Sequence, residues 1–248
     1  MTHGRLLLLP SPVGEGNVVD VLPAGVLETA RRTRHFLAER AKTARAFLKA
    51  IAHPVAMQEL DIIEIGHTPD ASRFTEWLQP AREGRDIALV SEAGCPAVAD
   101  PGAAIVRHAH EHGVAVHPLV GPSALLLALM ASGLNGQQFR FVGYLPQDAA
   151  RLGTAIAAVE SASRAGETQL FIETPYRNER LFDALLHHCA EDTLLTIAAA
   201  LTQRDEFIAT RAIGRWRQHI EGTRPTLRDR PAVFALLAAP RTNVRTRR

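Results

Sequence analysis

The stretch "DIALVSEAGCPAVADPG", Asp86 to Gly102, decides how this chain folds. Its opening, "DIALVS", is a short apolar run of the kind that forms a buried strand. Ser91 to Gly102 then spend two glycines, two prolines, two carboxylates and a cysteine before a helical pattern resumes in "PGAAIVRHAHEHG". Strand-to-helix connections commonly need only about 2–6 residues. A longer loop punctuated by Gly and Pro is either a surface excursion with good turn residues or a binding loop held by a rigid scaffold.

The same alternation extends on both sides. "RLLLL" (Arg5–Leu9), "HFLAE" (His35–Glu39), "DIIEI" (Asp61–Ile65) and "VAVHPL" (Val114–Leu119) read as further strands. Between them, "VVDVLPAGVLETARR", "KTARAFLKAIA" and "DASRFTEWLQPAREG" carry helical spacing or helix start and stop signals. Pro101 marks the expected start of the next helix and Gly113 its end. Alternating strands and helices predict a mostly parallel sheet covered on both faces. After about residue 135 come five strand-like runs, "FRFVGYLP", "QLFIETP", "LLTIAAAL", "EFIATRAI" and "PAVFALLAA". The last three have one obvious helix among them, "IGRWRQHI", which predicts a mixed sheet. The expected fold is therefore two α/β domains, residues 1–119 and 120–240, with a ligand cleft between them, followed by a disordered basic tail at 241–248.

Composition narrows the class. The 248 residues are 46% hydrophobic and 22% charged, ordinary values for a globular protein. No apolar run approaches the ~18–20 residues of a membrane span. The first fourteen residues break at Pro10 and read as a strand, not a leader, so a cytoplasmic protein is expected. Cys95 and Cys189 form no disulfide framework, in keeping with a reducing compartment. The net charge is +2, but "RTNVRTRR" at the end carries four arginines, so the body alone falls to −2. Bulk charge selects no partner.

In open α/β sheets, ligands bind beyond the carboxyl ends of the strands. "PSPVGEGN" (Pro10–Asn17), "SEAGCPAVADPG", "VGPSA" (Val120–Ala124) and "ETPYR" (Glu173–Arg177) occupy such positions. Glycine permits close backbone approach, and proline fixes the path. There is no G-x-x-x-x-G-K-[ST] and no G-x-G-x-x-G, and neither of the two lysines, Lys42 and Lys49, sits on a Gly-rich loop. The loops suit a flat, polar, adenosine-like ligand held mainly by main-chain groups, and not a nucleoside triphosphate.

In order, "LLLLPSPVGEG", "VSEAGCPAVADPG", "PLVGPSALLLALMASGL", "FRFVGYLP", "LFIETPYRNERL" and "LTQRDEFIATR" resemble the tetrapyrrole methylase family, the class III S-adenosylmethionine-dependent methyltransferases. Within that family they are most similar to the branch of the ribosomal RNA small-subunit methyltransferase I. The resemblance spans roughly residues 5 to 238. It implies that S-adenosylmethionine is the cofactor, that Gly94, Cys95, Pro96 and Val98 line it, and that Val13, Ser123 and Ala124 meet it from neighbouring loops. Ile172, Glu173, Ala200, Leu201, Pro231 and Ala232 are the matching positions of the second half. It also implies a homodimer, and threonine or aspartate in place of Cys95, so no covalent thiol chemistry.

Methyl transfer from a sulfonium is an in-line displacement in which positioning supplies much of the catalysis. A ribose hydroxyl as acceptor needs a base, whereas an activated tetrapyrrole carbon needs less help. Glu173 is the acid/base candidate, with Arg177 either holding an anionic acceptor or bridging Glu173. Tyr144 and Tyr176 could stack on a planar substrate or pack at the rim. His108, His110 and His112 on one helix read as a solvated helix end with no metal, and Asp100 as a helix N-cap. Three segments depart from the RNA-methylating branch: "AERAKTAR" stands for A-E-D-T-R-x-T, "MQELDIIEIGHTPD" for a segment with H-E-H-N, and "AALTQ" for R-E-L-T-K. That branch often also carries a small C-terminal helical module beyond the equivalent of residue 240. The acceptor therefore stays open between RNA and a porphyrinoid or other small molecule, and a non-catalytic cofactor-binding module is the third alternative.

Overall fold

The computed structural model describes residues 4–218 and 224–240, so the basic tail at 241–248 lies outside the described residues. Contacts divide the chain after Ser123, and each unit is built on its own sheet. The first unit runs β1 (Arg5–Leu9), α1 (Val18–Val21), α2 (Ala24–Arg32), β2 (His35–Ala38), α3 (Ala41–Ala50), β3 (Asp61–Glu64), α4 (Phe74–Trp77), α5 (Gln79–Arg82), β4 (Ile87–Val90), α6 (Ala103–Glu111) and β5 (Ala115–Pro118). Its strands order as β3-β2-β4-β1-β5, and every pair is parallel.

Burial on both faces explains the unbroken apolar strands. Leu7, Leu9, Ala88 and Val90 pack with Val26, Leu27, Phe47 and Leu48. Their neighbours Leu6, Ile87 and Leu89 point the other way, onto Trp77, Leu78 and Ile105. The register aligns Leu9 with Val90, Val90 with Ala38, and Ala38 with Glu64. The loops after β1, β2, β3 and β4 consequently leave from one edge of the sheet.

Some expected helices are broken. Pro23 splits the first helical pattern into α1 and α2, because it supplies no N–H to continue the ladder. The pattern from Asp70 to Gly84 becomes a 3-10 turn at Ala71–Arg73 followed by α4 and α5. α6 starts at Ala103 behind Gly102, not at Pro101. Asp100 does not cap it; Oδ1 accepts from the N–H groups of Ala97 at 3.1 Å and Gly102 at 2.7 Å and closes the preceding turn.

The second unit runs α7 (Ala124–Ser132), β6 (Phe139–Tyr144), α8 (Ala149–Ser163), β7 (Thr168–Ile172), α9 (Asn178–His188), β8 (Leu194–Ala199), β9 (Phe207–Ala212), α10 (Ile213–Arg217) and β10 (Ala232–Leu237). The order is β6-β7-β10-β8-β9, with β6 and β7 parallel and the other pairs antiparallel. The sheet is mixed because β8, β9 and β10 follow one another without a full crossover helix. Phe171 and Phe234 stack at 5.8 Å, and Phe182 meets Trp216 edge-on at 5.5 Å. Each such buried ring contributes about 1.5–3 kcal/mol. The Trp216 indole N–H donates to the Leu195 carbonyl, which removes the cost of burying it. Among the described residues, no helix is long and apolar enough to cross a membrane.

Candidate functional site

In the first unit, three loops meet at the end of β4. Ser11 and Gly94 exchange backbone hydrogen bonds of 3.0 and 3.1 Å, tying the loop after β1 to the loop after β4. Buried Ser11 donates its hydroxyl to the Ser91 carbonyl, and Ser91 donates to the Gly94 carbonyl. Gly94 has φ +71°, where a side chain is strained. A Cβ there would lie 3.3 Å from both the Pro122 carbonyl oxygen and Val13 Cγ1. Gly121 is similarly constrained, since its Cβ would collide with the Pro10 ring. Val13, Gly94 and Cys95 thus come together with Pro122, to which the Cys95 thiol donates at 3.4 Å. Burial pushes that thiol above its ordinary value, the opposite of nucleophile activation. Pro96 is buried, Val98 exposed and Ser123 half-buried. Ala97 and Ala99 adopt left-handed backbone, φ 63° and 54°, a strain that concentrates at functional loops.

In the second unit, Ile172, Glu173, Ala200, Leu201, Pro231 and Ala232 share one sheet edge. Antiparallel β10 begins where β7 and β8 end: Val233 pairs with Ile172, and Ala232 with Ala199. The Ala200 N–H then donates to the Pro231 carbonyl at 2.9 Å. Ala124 opens α7. Glu173 Oε1 accepts from the Thr174 N–H at 2.6 Å, the Thr174 hydroxyl at 3.2 Å and Arg177 Nη2 at 2.7 Å. Its side chain is 7% exposed and that of Arg177 is 19%. This geometry makes the pair a brace for the turn that starts α9. Arg177 also lies over the exposed Tyr176 ring, and its Nε is buried without a hydrogen-bond partner among the described residues. Tyr144 is exposed as well.

A third cluster escaped the sequence reading. Glu39, the residue after β2, is buried, and its Oε1 meets Nδ1 of exposed His67 from the segment after β3. Arg40 Nη2 faces the other ring nitrogen, Nε2, at 3.3 Å. Burial pushes the Glu39 carboxyl above its ordinary value, His67 opposes that shift, and Glu92 and Asp100 reinforce it. Thr43 donates to Glu92 at 3.0 Å, and the Ala41 N–H to Glu64 at 2.9 Å, so α3 begins on carboxylates from β3 and the β4 loop. The sequence signal was weak: Glu39 and His67 are 28 positions apart, and only the β2–β3 register joins them.

The histidines of α6 have a carboxylate beside them. Glu111 completes a group with His108 and His112 whose ligand atoms lie within 4.8 Å of one another, an arrangement that could hold a metal ion; His110 is not part of it. The two rings stack at 3.9 Å, and the Thr75 hydroxyl lies 3.2 Å from His108. The group stands at the end of α6, at the amino ends of the parallel strands and opposite the glycine-rich loops.

An open parallel sheet with ligand-type loops at its carboxyl edge, followed by a unit with a mixed sheet, is the architecture of known methylases. A solved structure of the methyltransferase CobJ superposes with TM-score 0.62 over 95% of each chain at 20% identity. Diphthine synthase gives 0.62 over 95% of this chain and 90% of that one at 16% identity. Residues 15–215 match the sequence profile of the Tetrapyrrole (Corrin/Porphyrin) Methylases, and the chain belongs to that family. Among curated relatives, the ribosomal RNA small subunit methyltransferase I of Micromonospora olivasterospora is 32% identical over 82% of this chain and 61% of that protein. The protein of the same name from Escherichia coli O157:H7 is 30% identical over 86% of this chain and 71% of its own length. The chain thus spans less than two thirds of the first relative.

Proposed function

We propose that this protein is an S-adenosylmethionine-dependent methyltransferase of the cytoplasm that acts on small-subunit ribosomal RNA at a ribose hydroxyl, as a homodimer. The observation that carries the reading is the Ser11–Gly94 junction, where a glycine at positive φ brings three loops together in a chain similar to named ribosomal RNA methyltransferases.

The residues suit the cofactor. Gly94 leaves room at the loop junction, and Ala97 and Ala99 hold the loop beyond it in left-handed backbone, with the Ala97 N–H fastened to Asp100. Val13, Gly94, Cys95, Pro96, Val98 and Ser123 would hold it from the first unit. Ala124, Ile172, Glu173, Ala200, Leu201, Pro231 and Ala232 are the further contacts that the family resemblance assigns. When bound, S-adenosylmethionine supplies a methyl group activated on a sulfonium. Glu173 orients Arg177 at the start of α9, where the guanidinium can meet an anionic acceptor such as a phosphodiester. α7 supports the homodimer: it is apolar on every side, and Leu126 and Met130 are exposed.

The test is methyl transfer from labelled cofactor to cell extract, sorted into RNA, protein and small molecules. Label in small-subunit ribosomal RNA is expected. Label in small molecules alone would move the protein to the porphyrinoid methylases. Cofactor binding with no label anywhere would make it a binding module. Chelator treatment should leave cofactor affinity unchanged.

A further inference from the structure

We infer that His67, oriented by Glu39, is the general base for a hydroxyl acceptor. This inference rests on the methyltransferase reading and narrows its substrate to an alcohol, because an activated carbon would need no such base.

The protonation pattern follows from the partners. Arg40 can only donate, so the ring nitrogen that faces it, Nε2, carries the lone pair. The Glu39 carboxylate can only accept, so Nδ1 carries the hydrogen. Both contacts select the same neutral tautomer: Nδ1–H toward a buried carboxylate, with a basic Nε2 on the exposed side. That is the base-and-orienter arrangement of hydroxyl-activating enzymes, built here from glutamate and histidine. Glu39 has little freedom to serve otherwise, because its backbone carbonyl accepts from Gly66 N–H at 3.1 Å and its side chain is enclosed.

The placement suits the task. Ala38 pairs with Val90, so Glu39 stands beside Ser91, the first residue of the glycine-rich loop. Adjacent strands are about 4.8 Å apart, which puts the segments after β2 and β3 within one or two strand spacings of that loop. Arg40 covers Nε2 and must swing aside when an acceptor arrives; an RNA phosphate offers it an alternative partner. As the acceptor oxygen forms its bond to the methyl carbon, the O–H proton passes to Nε2. The S–CH3 electron pair stays on sulfur, leaving a neutral thioether, and imidazolium later releases its proton to water. Here His67 is the catalytic residue and Glu39 a positioning residue.

The experiment compares wild type, His67→Ala and Glu39→Gln in three measurements. One is labelled methyl transfer to small-subunit ribosomal RNA with and without added imidazole. The second is calorimetric titration with S-adenosylhomocysteine, and the third is side-chain nitrogen NMR of His67. His67→Ala should lose about a hundredfold or more in rate, bind S-adenosylhomocysteine as wild type does, and regain activity with imidazole. Glu39→Gln should lose rate at unchanged ligand affinity and lose the Nδ1–H tautomer signal seen in wild type. Wild-type rates in His67→Ala, or a loss that imidazole does not restore in a folded variant that still binds the ligand, would overturn the inference. A wild type that binds the ligand but methylates nothing overturns the function reading instead. The dyad is then decided by NMR alone, and an Nε2–H tautomer in wild type refutes it.

Discussion

Gly94 receives a hydrogen bond from the Ser11 N–H and returns one to the Ser11 carbonyl, fastening the loop after β4 to the loop after β1. A Cβ at Gly94 would press on Pro122 and Val13, in strained backbone. Gly94→Val should therefore abolish S-adenosylhomocysteine binding while the protein stays folded. Gly94→Ala, which adds one methyl at a positive φ, should lose about 1–2 kcal/mol of stability and weaken binding less. Circular dichroism and calorimetric titration read the two effects separately. Unchanged affinity in a folded Gly94→Val protein would show that the loop only fills space.

Arg177 and Glu173 form a largely enclosed ion pair, so breaking it from one side leaves a buried charge. Arg177→Met should cost about 3–5 kcal/mol in urea unfolding. The double variant Glu173→Leu/Arg177→Met should cost less than Arg177→Met alone, since no charge is stranded. Additive costs would mean that the two side chains stabilise the α9 turn independently.

Both sheets were legible in the sequence because their strands are short apolar runs bounded by turn residues. The two-residue alternation of Leu6, Leu7 and Leu9 onto different faces follows from strand geometry alone. Helix boundaries were less legible. Pro101 looks like a helix start, yet it lies in a turn closed by Asp100, and Pro23 stands inside one helical pattern that it in fact divides as the residue before α2. Polar partners across elements were not legible at all. Glu160 is buried inside α8, where it accepts from the Ala190 N–H at 2.7 Å and the Thr193 hydroxyl at 2.5 Å. Nothing in "AVESAS" announces partners thirty residues away. Glu39 and His67 were hidden for the same reason: the chemistry lies in the register of β2 against β3, and no local spacing encodes it.

Asp86 is held below the ordinary aspartate value, first by the Arg5 side-chain hydrogen bond and then by the Arg5 backbone N–H. A depressed carboxylate contributes stability above its unfolded pKa, about 3.9, and loses it as pH falls through the lower folded value. The side chains are 47% and 31% exposed, so solvent screens the pair. Asp86→Asn should cost about 0.5–1 kcal/mol at pH 7, with the difference from wild type shrinking as pH falls through the lowered folded value. A difference that persists unchanged into acid would assign the loss to packing and not to the ion pair.

The last eight residues bring four arginines, Arg241, Arg245, Arg247 and Arg248, to a body that is otherwise slightly acidic. Phosphate contacts release counterions, with a slope of about −0.7 per contact on single-stranded nucleic acid. If these four side chains carry most of the RNA affinity, deleting residues 241–248 should flatten the plot of log K against log salt by about three units. It should also leave weak binding with little sequence preference. Fluorescence titration of a small-subunit RNA fragment at two salt concentrations measures this directly. A steep, site-specific interaction that survives the deletion would place RNA recognition in the body instead, with Arg177 and Arg40 the first side chains to replace.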